Sequence, residues 1–180
     1  YTLYKEISKV MGARVLFAPM DQATVSLPAV EALVSDKTKL IWLANPNNPT
    51  GTVFNPDSFR TLLNRLPANT WVVLDEAYAE FAEPNDLPDR ISLINQGYKI
   101  ISVRTFSKAY GLAGARLGYA IASPEMIQVL NTVSEPFNAN RIAIAGALAA
   151  IKEDRDHFQT AVSRIKHDRQ NTENRLAAMG

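Results

Sequence analysis

Short runs of β-branched, leucine and aromatic residues alternate along this chain with amphipathic stretches. Parallel strands need long crossovers and have both faces covered, so this alternation is the pattern of a mostly parallel sheet sandwiched by helices. The candidate strands are Arg14–Ala18, Leu40–Ala44, Trp71–Leu74, Lys99–Phe106 and Leu117–Ala122. Between them, Asn55-Pro56-Asp57 sets a capping side chain and a first-turn proline ahead of Phe59, Leu62, Leu63 and Leu66, which share one helical face. Ser123-Pro124-Glu125 repeats the signal before Met126, Ile127, Leu130 and Val133. From Arg141 onward there is no proline, and Phe158, Val162, Ile165, Arg169, Thr172 and Leu176 recur at helical spacing, which predicts a long half-solvated helix broken near Glu153–Asp156. Glu83-Pro84-Asn85-Asp86-Leu87-Pro88 reads as a surface loop.

The 180 residues suit one domain or part of a larger enzyme. With 47% hydrophobic and 21% charged residues the composition is that of a folding chain, not a disordered one. The net charge of +1 provides no global field for nucleic acid or an anionic membrane, so any anion site must be local. The absence of cysteine excludes disulfides, thiolate metal sites and cysteine nucleophiles. The longest apolar stretch, Ile142 to Ile151, is about ten residues where a membrane span needs roughly 20, and it reads as a buried helix. With no signal peptide visible, a cytoplasmic location is expected; the start at Tyr1 in place of a methionine suggests sequence upstream.

Three clusters follow candidate strands, where open α/β sheets collect ligands. Asn45-Pro46-Asn47-Asn48-Pro49-Thr50-Gly51 is either a polar turn or a rigid loop that holds an amide such as Asn48 toward a ligand. Asp75-Glu76-Ala77-Tyr78 puts a carboxylate at the end of an apolar strand, where Asp75 either caps the next helix or needs a cation that the local sequence does not supply; a protonated ring nitrogen would serve. In the third, Lys108 follows a strand, flanked by the hydroxyls of Thr105 and Ser107, with Gly111 and Gly114 before Arg116, and is either a surface lysine in a glycine-containing turn or an amine placed for chemistry. Lysine is the amine suited to a Schiff base, with burial and nearby cations lowering its proton affinity, and hydroxyls with a guanidinium fork suit a phosphate.

At these residues the chain resembles the fold-type I pyridoxal-phosphate aminotransferases: Asn-Pro-x-Asn-Pro-Thr-Gly, Asp-Glu-Ala-Tyr and Ser-Lys-x-x-Gly-Leu-x-Gly-x-Arg-x-Gly-Tyr occur in the family's order. The resemblance implies the three-layer, mostly parallel α/β large domain of that family over residues 1–140, with 141–180 leading as a long helical segment toward a small domain outside the chain. It implies pyridoxal 5'-phosphate as cofactor, Lys108 as its Schiff-base lysine, Asp75 paired with the pyridine nitrogen, and Asn48 and Tyr78 on the phenolic oxygen. Thr105, Ser107 and Arg116 match the positions that hold the phosphate, and Tyr1 matches an aromatic that stacks on the ring. Within the family, Tyr1-Thr2-Leu3-Tyr4-Lys5, the stretch from Ser102 to Tyr119, and Glu135-Pro136-Phe137-Asn138-Ala139-Asn140 are similar to the histidinol-phosphate aminotransferases. That implies an amino donor, histidinol phosphate, and a 2-oxo acid acceptor in histidine biosynthesis, within a homodimer. Rival readings are an aromatic-amino-acid aminotransferase, a pyridoxal-phosphate-dependent phospho-amino-acid decarboxylase, and the cofactor-binding sensor domain of a transcription regulator. His157 and His167 lie ten positions apart on the final helix with no second ligand type nearby, so no metal is expected.

Overall fold

A computed structural model describes residues 1–180 as two compact units, one of Tyr1–Arg104 with Ala120–Thr132, the other of Thr105–Tyr119 with Val133–Gly180. The chain opens with α1 (Thr2–Val10), followed by a small antiparallel ribbon of β1 (Met20–Asp21) and β2 (Thr24–Val25) and by α2 (Leu27–Ala32). Then come β3 (Leu40–Ala44), α3 (Pro56–Arg65), β4 (Trp71–Asp75), α4 (Arg90–Asn95), β5 (Ile100–Thr105) and β6 (Gly118–Ile121). The chain finishes with α5 (Pro124–Val133), α6 (Arg141–Lys152) and α7 (Arg155–Ala177). No helix is long and apolar enough to cross a membrane.

The main sheet has the order β3-β4-β5-β6, with β3, β4 and β5 parallel. Strand alternation divides its side chains into two sets. Ile41, Leu43, Val72, Leu74 and Ile100 point into the core of the first unit, packed with Phe59, Leu62 and Leu63 of α3 and Leu93 and Ile94 of α4. Register places Trp42, Ala44, Val73, Asp75 and Val103 on the other face, where Tyr4 of α1 stacks on Trp42 with ring centroids 4.8 Å apart. Helices on both faces give the expected three layers. α3 starts as its sequence dictates, with Asn55 accepting from the Ser58 amide at 2.9 Å and Pro56 in the first turn.

In the second unit the terminal helical stretch breaks at Glu153 and Asp154, between α6 and α7, where the sequence places it. Tyr110 stacks on Phe158 of α7 at 4.5 Å and also meets Phe106.

Two expectations need correction. Arg14–Ala18 forms no strand: it hydrogen-bonds to no neighbouring strand, and Leu16 and Phe17 are exposed, so an apolar run without a ladder partner stays irregular. The stretch Ile142 to Ile151 is a helix but not a buried one. Ala143 and Ala147, one turn apart, form its covered stripe, while Ile142, Ile144, Leu148 and Ile151 remain exposed. The loop 83–88 contains one 3-10 turn, Pro84–Asp86.

Candidate active site

In the first unit, chemistry gathers where β4 ends. Asp75 is its last residue, one position past the expected boundary, and is half-buried on the face that carries Trp42. Its Oδ1 accepts from the Ala77 amide at 3.0 Å, and its Oδ2 accepts a short hydrogen bond from the Tyr4 hydroxyl. The carboxylate therefore turns its own loop and is held by a phenol from α1; it does not cap the 3-10 turn Ala79–Phe81. Burial first, then the hydrogen bond to Asp75 and its charge, push the Tyr4 phenol well above the ordinary tyrosine value, which keeps Tyr4 a donor at every working pH. Tyr1 is exposed and meets Tyr4 edge-on at 5.4 Å.

The Asn-Pro loop is tied to the same strand end, with the Asn45 amide donating to the Asp75 carbonyl at 2.9 Å. Asn45 is itself buried, and its Oδ1 accepts from the Phe54 amide at 3.0 Å. Gly51, at φ +70°, closes the loop with its amide on the Asn47 carbonyl at 2.8 Å. So held, the loop presents Asn48, whose Nδ2 donates to the Tyr78 hydroxyl at 3.1 Å. Asn48 and Tyr78, thirty positions apart, thus arrive together as a polar pair.

In the second unit Thr105, Ser107 and Arg116 converge. The Ser107 amide donates to Thr105 Oγ1 at 3.0 Å, while the Arg116 guanidinium donates to Ser107 Oγ at 3.4 Å and to the Ala113 carbonyl at 2.8 Å. Arg116 adopts the left-handed conformation at φ 55°, uncommon for a residue with a Cβ and frequent where backbone geometry serves a site. Two hydroxyls and a guanidinium at one place make a donor set for a tetrahedral oxyanion. Lys108 follows Ser107 directly and is exposed, not buried, on a turn that the Gly111 amide closes onto its carbonyl at 2.9 Å. Gly111, at φ +68°, supplies the bend. His157 and His167 lie on α7, and His167 Nε2 is 2.9 Å from Asn171 Nδ2.

The family model for aminotransferase class I and II matches residues 1–180. The chain belongs to that family. It is 42% identical over 158 residues to the histidinol-phosphate aminotransferase 2 of Pseudomonas fluorescens, covering 88% of this chain and 42% of that one. The histidinol-phosphate aminotransferase of Anoxybacillus flavithermus is 41% identical over 150 residues, covering 83% and 40%. Among solved structures, the histidinol-phosphate aminotransferase of Sinorhizobium meliloti in complex with pyridoxal-5'-phosphate superposes with a TM-score of 0.88 at 35% identity, covering 94% of this chain and 46% of that one. This class I and II chain therefore spans less than half the length of these relatives.

The sequence singled out Asp75, Asn48, Tyr78, Thr105, Ser107, Lys108 and Arg116, but not the phenol on Asp75. Tyr4 was visible only as the second tyrosine of a Tyr-x-x-Tyr spacing, which puts it on the same helical face as Tyr1. Trp42 follows from register, because it lies two residues before Ala44, the partner of Asp75 in the parallel ladder.

Proposed function

We propose that this chain is the cofactor-binding part of a pyridoxal-phosphate-dependent aminotransferase that exchanges the amino group of histidinol phosphate with 2-oxoglutarate. The observation that carries the reading is the convergence of Thr105, Ser107 and Arg116 beside Lys108, a dianion site next to an accessible amine. That donor set fits the phosphate of pyridoxal phosphate, and Asp75, ordered by neutral donors, fits the charge of a ring nitrogen.

When bound, the cofactor supplies an electron sink that allows the Cα–H bond of an amino donor to break. The chain's own residues do the rest. Thr105, Ser107 and Arg116 bind the phosphate and fix one end of the ring. Asp75, its carboxylate fixed by the Tyr4 hydroxyl, would hold a proton at the ring nitrogen. Asn48 and Tyr78 would hydrogen-bond the phenolic oxygen, and Tyr1 would stack on the ring. Lys108 would hold the cofactor through its Nζ, and the same amine would serve as the base that accepts the proton of the donor Cα.

The 41–42% identity to two histidinol-phosphate aminotransferases supports the choice of amino donor. We assign the complete enzyme to the cytoplasm as a homodimer, with residues 141–180 leading toward a small domain. A site selecting histidinol phosphate must compensate a phosphate and hydrogen-bond an imidazole, and polar groups built for those features penalise an analogue that leaves them unpaired. With 2-oxoglutarate as acceptor, the full-length enzyme should show a kcat/KM for histidinol phosphate at least about 100-fold above that for phenylalanine. A preference for phenylalanine would refute the substrate and leave the cofactor assignment standing.

A further inference from the structure

Asp75 and Glu76 are adjacent acids at the end of β4, and in extended backbone adjacent side chains leave on opposite faces. Asp75 takes the face of Trp42 and Tyr4. Glu76 continues the line of Val72 and Leu74 into the helix-covered core, where it is 1% exposed. A lone carboxylate there would be costly, and Glu76 is not alone. The Arg90 Nε, from the first turn of α4, lies 2.9 Å from its Oε2, and the Arg104 Nε lies 3.8 Å away. The Ser102 hydroxyl donates a short hydrogen bond to the same oxygen. Ser102 and Arg104 are alternate residues of β5 and so share its face. Arg104 extends the network outward to Glu80 at 3.4 Å. The Glu76 amide donates to the Val103 carbonyl at 2.9 Å, so the ladder continues one residue beyond the strand.

We propose that Glu76 is a positioning residue for Asp75: Arg90, Arg104 and Ser102 draw Glu76 to the face packed by α3 and α4, fixing the rotation of the strand end so that Asp75 is presented to the cofactor. Two acids in succession pose a choice, because a one-residue slip exchanges the faces of both side chains. The two guanidiniums decide it, since Arg90 and Arg104 meet the acid that enters the α3–α4 face, whereas Asp75 meets the Tyr4 hydroxyl and the Ala77 amide. Asp75 is left to neutral donors, Tyr4 and the Ala77 amide, and keeps its charge for the ligand. The proposal rests on the reading of Asp75 as the partner of the ring nitrogen.

The test uses the full-length protein freed of cofactor and titrated with pyridoxal phosphate. It follows the dissociation constant by protein fluorescence, the visible circular dichroism of the bound cofactor, and the melting temperature of the apoprotein. Glu76→Gln should weaken binding by about tenfold, the lower end of what loss of an outer-shell partner costs, and should alter the visible dichroism. Ser102→Ala, which leaves both ion pairs in place, should move the same two readouts in the same direction by less, and it decides the matter by the same criteria if Glu76→Gln does not fold. Variants that lower the apoprotein melting temperature yet bind pyridoxal phosphate with wild-type affinity and dichroism would overturn the positioning role. Asp75→Asn, measured in parallel, separates the two readings. If it leaves affinity and dichroism unchanged, the assignment of Asp75 fails and the proposal with it; if it changes both while the Glu76 and Ser102 variants change neither, the positioning proposal alone fails.

Discussion

A lysine that anchors a cofactor must be reachable while its neighbours hold the ligand still, and Lys108 meets both demands: it is exposed, and the residues around it are tied by hydrogen bonds. Borohydride reduction of the full-length protein loaded with pyridoxal phosphate should place the label on the peptide containing Lys108, and Lys108→Ala should abolish it. A label found on another lysine refutes the role. Glu76 yields a pH prediction. Burial raises its proton affinity above the ordinary glutamate value, outweighing the Ser102 hydrogen bond and the two arginines that lower it. The folded state then holds the Glu76 proton to higher pH than the unfolded chain. Its stabilising share is full below the unfolded value near 4.5 and is lost as pH rises through the folded one. The stability advantage of wild type over Glu76→Gln, from urea midpoints, should therefore shrink as pH rises above about 4.5 while the arginines still set which face Glu76 takes, whereas an advantage that grows with pH would mean that burial is not the larger cost. The roles of single residues were partly legible in the sequence. Asp75 announces itself as a carboxylate after an apolar run, but its phenol donor lies 71 positions away and Glu76's guanidinium partners come from α4 and β5, pairings that spacing alone does not encode.

The elements that sequence placed correctly are those whose signals are local and repeated. α3 has its cap, its proline and three buried positions on one face, so its start was legible to the residue. Asn55→Ala should lower the stability of the full-length protein by about 1 kcal/mol, measured by urea denaturation, because the Ser58 amide loses its acceptor. A loss below about 0.3 kcal/mol would mean that the proline and the packed face fix the helix start without the cap. β3, β4 and β5 were found within one or two residues because their apolar runs are short and bounded. α2 and α4, of six residues each, were not, although Ser26 and Asp89 cap them, since six residues do not complete two turns of a periodic pattern. Arg14–Ala18 failed for the opposite reason: its composition suits a strand, but a strand exists only through a partner, and composition does not supply one. The buried character expected of α6 failed similarly, because an alanine-rich apolar helix shows no polar face from which to tell the covered side.

At the scale of the whole chain, apolar surface and net charge act together. In the first unit Val10, Met11 and Phe17 are each more than two-thirds exposed, and in the second Phe137 and Ile142 are nearly fully so. Large exposed apolar patches mark surfaces that another protein surface covers, or else drive association. A net charge of +1 offers almost no electrostatic repulsion to oppose that association. The 180-residue chain, produced by itself, should therefore self-associate in size-exclusion chromatography at micromolar concentration and enhance the fluorescence of an apolar dye such as anilinonaphthalene sulfonate. Replacing Val10 and Phe17 by serine in the first unit, or Ile142 by serine in the second, should reduce both signals without unfolding the chain, because none of these side chains belongs to the buried core. A chain that elutes as a monomer and leaves the dye dark would show that these side chains find cover within the polypeptide in solution. Association unchanged by the serine replacements would place the adhesive surface elsewhere.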